Sequence, residues 1–223
     1  MIPLRDINPR FSTPWVTIGL IVANVFVFLY QVSLGPQAGE QLVLTLGMVP
    51  ARLEGAFTSP NVALGEAFLP LFTSIFLHAG LMHLIGNMWF LWVFGDNIED
   101  RMGHLRYLLF YLVCGAGAGL AHAIFNLGSR VPTVGASGAI SGVLGAYFVI
   151  FPRSRVVTLI PLPFLFFTTE LPAVVILGYW FLIQILSGLG SLAVPGAGGV
   201  AWWAHIGGFL LGAMVAVLVR RRR

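Results

Sequence analysis

Ser137, His205 and the pair His83 and Asn87 set chemically active side chains inside otherwise apolar runs of this sequence. Ser137 stands in Gly135-Ala136-Ser137-Gly138, at the start of an apolar stretch. A hydroxyl at a helix start has free backbone N–H groups and the positive end of the helix dipole beside it. Those groups stabilise an oxyanion when the hydroxyl attacks a carbonyl, and flanking glycines let a substrate backbone come close. A serine here also serves simply as a helix cap, and taken alone the two readings are about even. His205, in Ala204-His205-Ile206-Gly207-Gly208, is the residue type that activates a serine. Alone, such a histidine is more often an interface residue. His83 and Asn87 are four apart and share one helix face. Their ring and amide N–H groups are donors suited either to an oxyanion or to an interhelical polar clamp.

These residues need elements that bring them together, and the composition says in what solvent. The chain has 223 residues, 58% hydrophobic and 9% charged, with mean hydropathy +0.92. A soluble domain carries about 25% charged residues, so most of this surface belongs in lipid. A span needs roughly 20 apolar residues. Six spans are predicted, in a single domain covering 1–223: Trp15–Leu34, Leu81–Ile98, Leu105–Phe125, Ser137–Phe151, Leu171–Leu186 and Ala201–Val219. The fourth is short for a full span and is tolerable only if protein surrounds it. Val156–Phe167 is apolar but holds Pro161 and Pro163, which break a helix interior, so it is expected at the interface and not as a seventh span. Gln31–Pro70 mixes apolar and charged residues and is expected to lie on the membrane surface.

All 12 basic residues are arginine. With six spans, Arg5, Arg10, Arg101, Arg106, Arg153, Arg155 and Arg220–Arg223 fall on one side, leaving only Arg52 and Arg130 on the other. The positive-inside rule makes the first side, with both termini, cytoplasmic. The expected location is a prokaryotic plasma membrane. The basic balance reflects this flanking pattern, and nucleic acid is not an expected partner. In this topology the second, fourth and sixth spans all descend from the outer face. His83, Asn87, Ser137 and His205 then share one depth just below that face.

Gly208 and Gly212 make a small-residue face on the sixth span, and Ser137, Ser141 and Gly145 make one on the fourth. If these faces meet, Ser137 and His205 come within hydrogen-bond reach. Ala216 is expected on the lipid side. Other chemistries lack their parts. There is no His-Glu-x-x-His, no carboxylate and third ligand beside His83 for zinc, and no intramembrane carboxylate pair, since Asp96 and Asp100 lie together at the cytoplasmic end. No metal or cofactor is expected. His78, His104 and His122 are read as structural or uninvolved, and Cys114 as a small buried hydrophobe.

At this point the residues resemble the rhomboid family. The likeness rests on Gly135-Ala136-Ser137-Gly138, on His83-Leu84-Ile85-Gly86-Asn87, on His205 with Gly208 and Gly212, and on Glu99-x-x-x-Gly103-x-x-Arg106. It implies an all-α, six-helix membrane bundle acting as an intramembrane serine endopeptidase. It implies a Ser137–His205 dyad without a third acid, and an oxyanion held by Asn87, His83 and the Ser137 N–H. The substrate would be a transmembrane segment, cut near its outer end beside a small residue, admitted laterally past the fifth span and the loop Val194–Val200. Where some relatives stack a tyrosine one turn after the nucleophile, this chain has Ser141. A noncatalytic, client-binding relative would lack Ser137 or His205, and a transporter would show an internal repeat; neither description fits.

Overall fold

A computed structural model of the chain describes residues 1–162, 165–192 and 200–220. Pro163, most of the Val194–Val200 loop and Arg221–Arg223 fall outside them. The chain is a helical, polytopic membrane protein. Its long helices are α1 (Trp15–Ser33), α6 (Leu81–Met102), α7 (His104–Phe125), α8 (Ser137–Ile150), α9 (Ala173–Leu192) and α10 (Trp202–Arg220). The short helices α2 (Gly35–Leu46), α3 (Pro50–Thr58), α4 (Leu64–Phe68) and α5 (Pro70–Thr73), with a 3-10 turn at Ser74–Phe76, fill the connection from α1 to α6. Prolines at the first positions of α3 and α5 fit helix starts, where a missing N–H leaves no bond unmade. Arg52 on α3 donates to the carbonyls of Leu44 (2.6 Å) and Thr45 (3.1 Å), covering the open C-terminal end of α2.

Among the described residues, α1, α7 and α9 are long and apolar enough to cross a membrane alone. Helix α6 makes a fourth only together with the bent Leu64–Phe76 segment. Helices α8 and α10 are apolar but shorter. Helix α8 sits at the centre of the bundle, with every residue from Gly138 to Tyr147 buried. Protein replaces lipid around it, which is what allows a 14-residue helix at this position.

Small residues set how near α8 lies to α10. A methyl group added at Gly208 would overlap the carbonyl of Gly138 and come 3.3 Å from Ser141 Cβ. At Gly212 it would meet the backbone of Gly142, and at Gly145 the carbonyl of Phe209. The two small faces therefore touch, with Gly212 against Gly142 and not against Gly145. Ala216 is fully buried, which corrects its expected place on the lipid side.

The segment after α8 holds structure that the prolines concealed. Strands β2 (Arg155–Leu162) and β3 (Leu165–Pro172) pair antiparallel, and β1 (Ile2–Asp6) joins the other edge of β2. Pro161 fits this central strand because β1 reaches only to Leu159, so on that side the missing N–H has no ladder to serve. β-Branched and aromatic residues fill both strands of the hairpin. Asp6, closing β1, accepts hydrogen bonds from Tyr147 Oη (2.6 Å) on α8 and Asn97 Nδ2 (2.8 Å) on α6, fastening the sheet to the bundle.

Glu99 supplies a second fastening. Its buried carboxylate accepts from the backbone N–H of Val16 (2.9 Å) and Thr17 (2.8 Å) and from Thr17 Oγ1 (2.7 Å). No side chain at the start of α1 caps that helix. Glu99 does so from α6, placing a negative group where the helix dipole favours one. His104 Nδ1 lies 2.6 Å from the same carboxylate.

Candidate active site

The start of α8 is shaped before any catalytic group is considered. Gly135 has φ +126°, a left-handed backbone that favours glycine. Its N–H donates to the Ser74 carbonyl at 2.9 Å. Two residues upstream, Thr133 exchanges backbone bonds with Met48. These bonds pin the loop so that Ser137 becomes the first residue of α8. Backbone N–H groups in that first turn have no intrahelical acceptor.

His83 and Asn87 lie against this loop. A Cβ at Gly135 would be 2.9 Å from His83 Nε2 and 3.7 Å from Asn87 Nδ2. Glycine is thus what lets the loop pass over both side chains. The Asn87 amide nitrogen is buried and has no hydrogen-bond partner. Such a donor costs free energy wherever nothing accepts from it. His78, set aside at the sequence level, packs edge-on to His83 with ring centroids 5.2 Å apart. Gln31 holds the His78 backbone on both sides, accepting from its N–H (3.3 Å) and donating to its carbonyl (2.9 Å).

His205, in the first turn of α10, comes to the same place from the other side. Its neighbour Ala204 is near Gly138, where an added Cβ would lie 3.8 Å from Ala204 Cβ. The α8–α10 contact at Gly138 and Gly208 therefore brackets the pair Ser137 and His205. His205 is 9% exposed, and its ring hydrogen-bonds Gln184 on α9, not Ser137. Catalytic hydrogen bonds are commonly long in resting enzymes and tighten with substrate. Trp180 and Trp202 flank the ring at 5.8 Å and 6.2 Å between centroids. Ser141 Oγ is engaged elsewhere, donating to the Ser137 carbonyl at 2.6 Å. A small cavity opens beside Ser137, lined by Ser74, Gly115, Ala118, Gly119, Thr133 and Ala204 among others.

The structure thus brings Ser137, His83, Asn87 and His205 to one end of α8, from α6, α8 and α10. His104 is elsewhere, on Glu99. Cys114 is buried against Gly142, away from any partner cysteine. Sequence reading missed Gln184, Trp180 and Ser74. A single glutamine inside the apolar run of α9 was the one available signal for the first of these.

Comparison with known proteins agrees with this architecture. Residues 65–222 match the rhomboid domain. The chain is 30% identical to RHOMBOID-like protein 6, mitochondrial, of Arabidopsis thaliana over 90% of its own length and 67% of that protein. It is 32% identical to the rhomboid protease GluP of Bacillus subtilis (strain 168) over 66% of its length and 26% of GluP. It is 30% identical to the presenilin-associated rhomboid-like protein, mitochondrial, of Bos taurus over 87% of its length and 46% of that protein. The chain therefore spans about half or less of the last two relatives. A domain match over most of the chain, joined to a buried α8 that opens on a glycine-flanked serine, makes this chain a member of the rhomboid family.

Proposed function

We propose that the protein is an intramembrane serine endopeptidase that cuts transmembrane segments of other proteins near the outer face of the membrane. The observation that carries this reading is the buried, unpartnered Asn87 amide beside the loop that delivers Ser137. That donor is free for an acceptor that arrives with the substrate, as an oxyanion hole requires.

Ser137 Oγ attacks the scissile carbonyl while His205 Nε2 takes its proton. Negative charge builds on the carbonyl oxygen and is met by Asn87, by His83 and by the first-turn N–H groups of α8. His205 then protonates the leaving amine. Water, activated by the same imidazole, releases the acyl group from Ser137. The small cavity beside Ser137 suits a small residue at the cut. A substrate helix must open locally to present its carbonyl, because helical backbone bonds are otherwise satisfied.

Six spans, with both termini on the arginine-rich cytoplasmic side, complete the proposal. The sheet supports it. Helices α1, α6, α7 and α8 lie between β1 and β2, and an even number of crossings is needed for those strands to pair. Relatives from a bacterium, a plant and a mammal, two of them mitochondrial by name, do not favour the prokaryotic plasma membrane over others. The test is labelling with a serine-directed fluorophosphonate, with mapping of the modified residue and cleavage of a transmembrane test substrate in parallel. Modification at Ser137 with loss of cleavage is expected; cleavage that survives full labelling would sink the assignment.

A further inference from the structure

We infer that Gln184 is the positioning residue of the base, holding His205 in the one tautomer that can accept a proton from Ser137. The inference rests on the Ser137–His205 reading above and supplies what a dyad without an acid lacks.

Gln184 lies on α9 and is 4% exposed, so its amide must find partners within the protein. Its Nε2 donates to the Trp180 carbonyl at 3.1 Å. A backbone carbonyl can only accept, which fixes the amide with its nitrogen toward Trp180 and its oxygen toward His205. The His205 Nδ1 to Gln184 Oε1 distance is 2.7 Å. An amide oxygen can only accept, so Nδ1 carries the hydrogen. In a neutral imidazole the other nitrogen, Nε2, then has the free lone pair. That is the form a general base needs. The helix carbonyl of Trp180 thus sets the proton's position on His205, through one amide.

The identity of the residue matters as much as its place. A carboxylate at this depth would be costly to bury and would hold the imidazolium strongly. The amide orients the ring without adding a charge. The titratable groups whose charge reaches His205 are His83 on α6 and His122 on α7. Helices α8 and α9 carry no acidic or basic side chain. Ser141, one turn after Ser137, donates to the Ser137 carbonyl and leaves ring orientation to Gln184 and the two tryptophans.

The experiment compares the parent with Gln184→Met, Gln184→Glu and His205→Ala, all reconstituted in vesicles. Cleavage of a transmembrane test substrate is followed from pH 5 to 9. Gln184→Met keeps the volume and loses the acceptor. It is expected to lower kcat between about 10- and 100-fold, as a misplaced reacting group does, with KM unchanged. Gln184→Glu restores the acceptor, so it should recover much of kcat and move the acidic limb of kcat/KM upward by about one pH unit, because a negative neighbour favours the charged imidazole. Parent-like kcat and pH profile in Gln184→Met would overturn the inference. The 15N spectrum of His205 in the parent is a second check that needs no variant: a protonated Nδ1 is expected, and a protonated Nε2 overturns the inference. His205→Ala separates the two levels. If it retains cleavage, the base assignment itself has failed. If it is inactive while the Gln184 variants behave like the parent, only the role of Gln184 has failed.

Discussion

Removing one hydroxyl at Ser137 should separate chemistry from folding. Ser137→Ala takes away a half-buried oxygen that makes no side-chain hydrogen bond among the described residues. It should abolish cleavage while leaving the melting temperature near that of the parent. His205→Ala should do the same to cleavage, and the double variant should be no worse than either single one, because the pair acts as a unit. A double variant much worse than both would mean that the two residues act independently. Asn87→Ala is predicted to lower turnover by about 10²–10³-fold. Reaction of Ser137 with a small acylating probe should continue, more slowly. Unchanged turnover with normal expression would return Asn87 to a structural role.

At the scale of elements, the α8–α10 contact carries the geometry. Gly208→Val would drive side-chain carbons into the Gly138 carbonyl and Ser141. The helices must part, and close packing is the main attraction between helices in lipid. Both the melting temperature and cleavage should fall, the latter by about 10²-fold for a shift near 1 Å. Leu210→Val, at a position 54% exposed, should change neither. Purifying both variants in detergent and measuring melting and cleavage together decides the point. The small-residue face of α10 was legible because glycines at helical spacing are a strong local pattern. The exact partner of each glycine was not, since a shift of one turn along α8 gives an equally good pattern; hence Gly212 against Gly142. Gln184 left almost no trace, because one amide in an apolar run says nothing about what it points at. Asn87 and His83 were legible only after topology had put three helix ends at one depth.

The whole molecule adds a sheet that composition and periodicity did not reveal. Ile2–Asp6 is five residues long and contains Pro3, too short and too interrupted to announce a strand. Its partner was read as an interfacial segment because prolines exclude a helix; that Pro161 is compatible with a strand open on one side emerges only in the fold. Asp6 makes the attachment sensitive to pH. Burial pushes its carboxyl up from 3.8 to about 6; the hydrogen bond from Tyr147 opposes this and the charge of Asp96 adds to it. An acid whose folded pKa is raised binds its proton more tightly folded than unfolded. Its contribution to stability is therefore greatest below 3.8 and is lost as pH rises through about 6. Amide hydrogen exchange in β1, corrected for intrinsic rates, should show more protection at pH 5 than at pH 7.5. Asp6→Asn should remove that difference; a difference that persists would assign the pH effect to another group.

The pairing of Ile2 with Leu159 also orders events in time. When β1 leaves the ribosome, its partner has not been made. At about 5–20 residues per second, the wait is on the order of ten seconds, during which α1, α6, α7 and α8 must be delivered to the membrane. Asn97, which bonds Asp6, and Glu99, which caps α1, arrive only with α6, and Tyr147 later still with α8. The start of the first helix and the strand before it are therefore completed late, by residues that follow. Strand β1 therefore closes only after the helices that follow it have been made, and a nascent chain arrested after α7 should leave β1 open to protease.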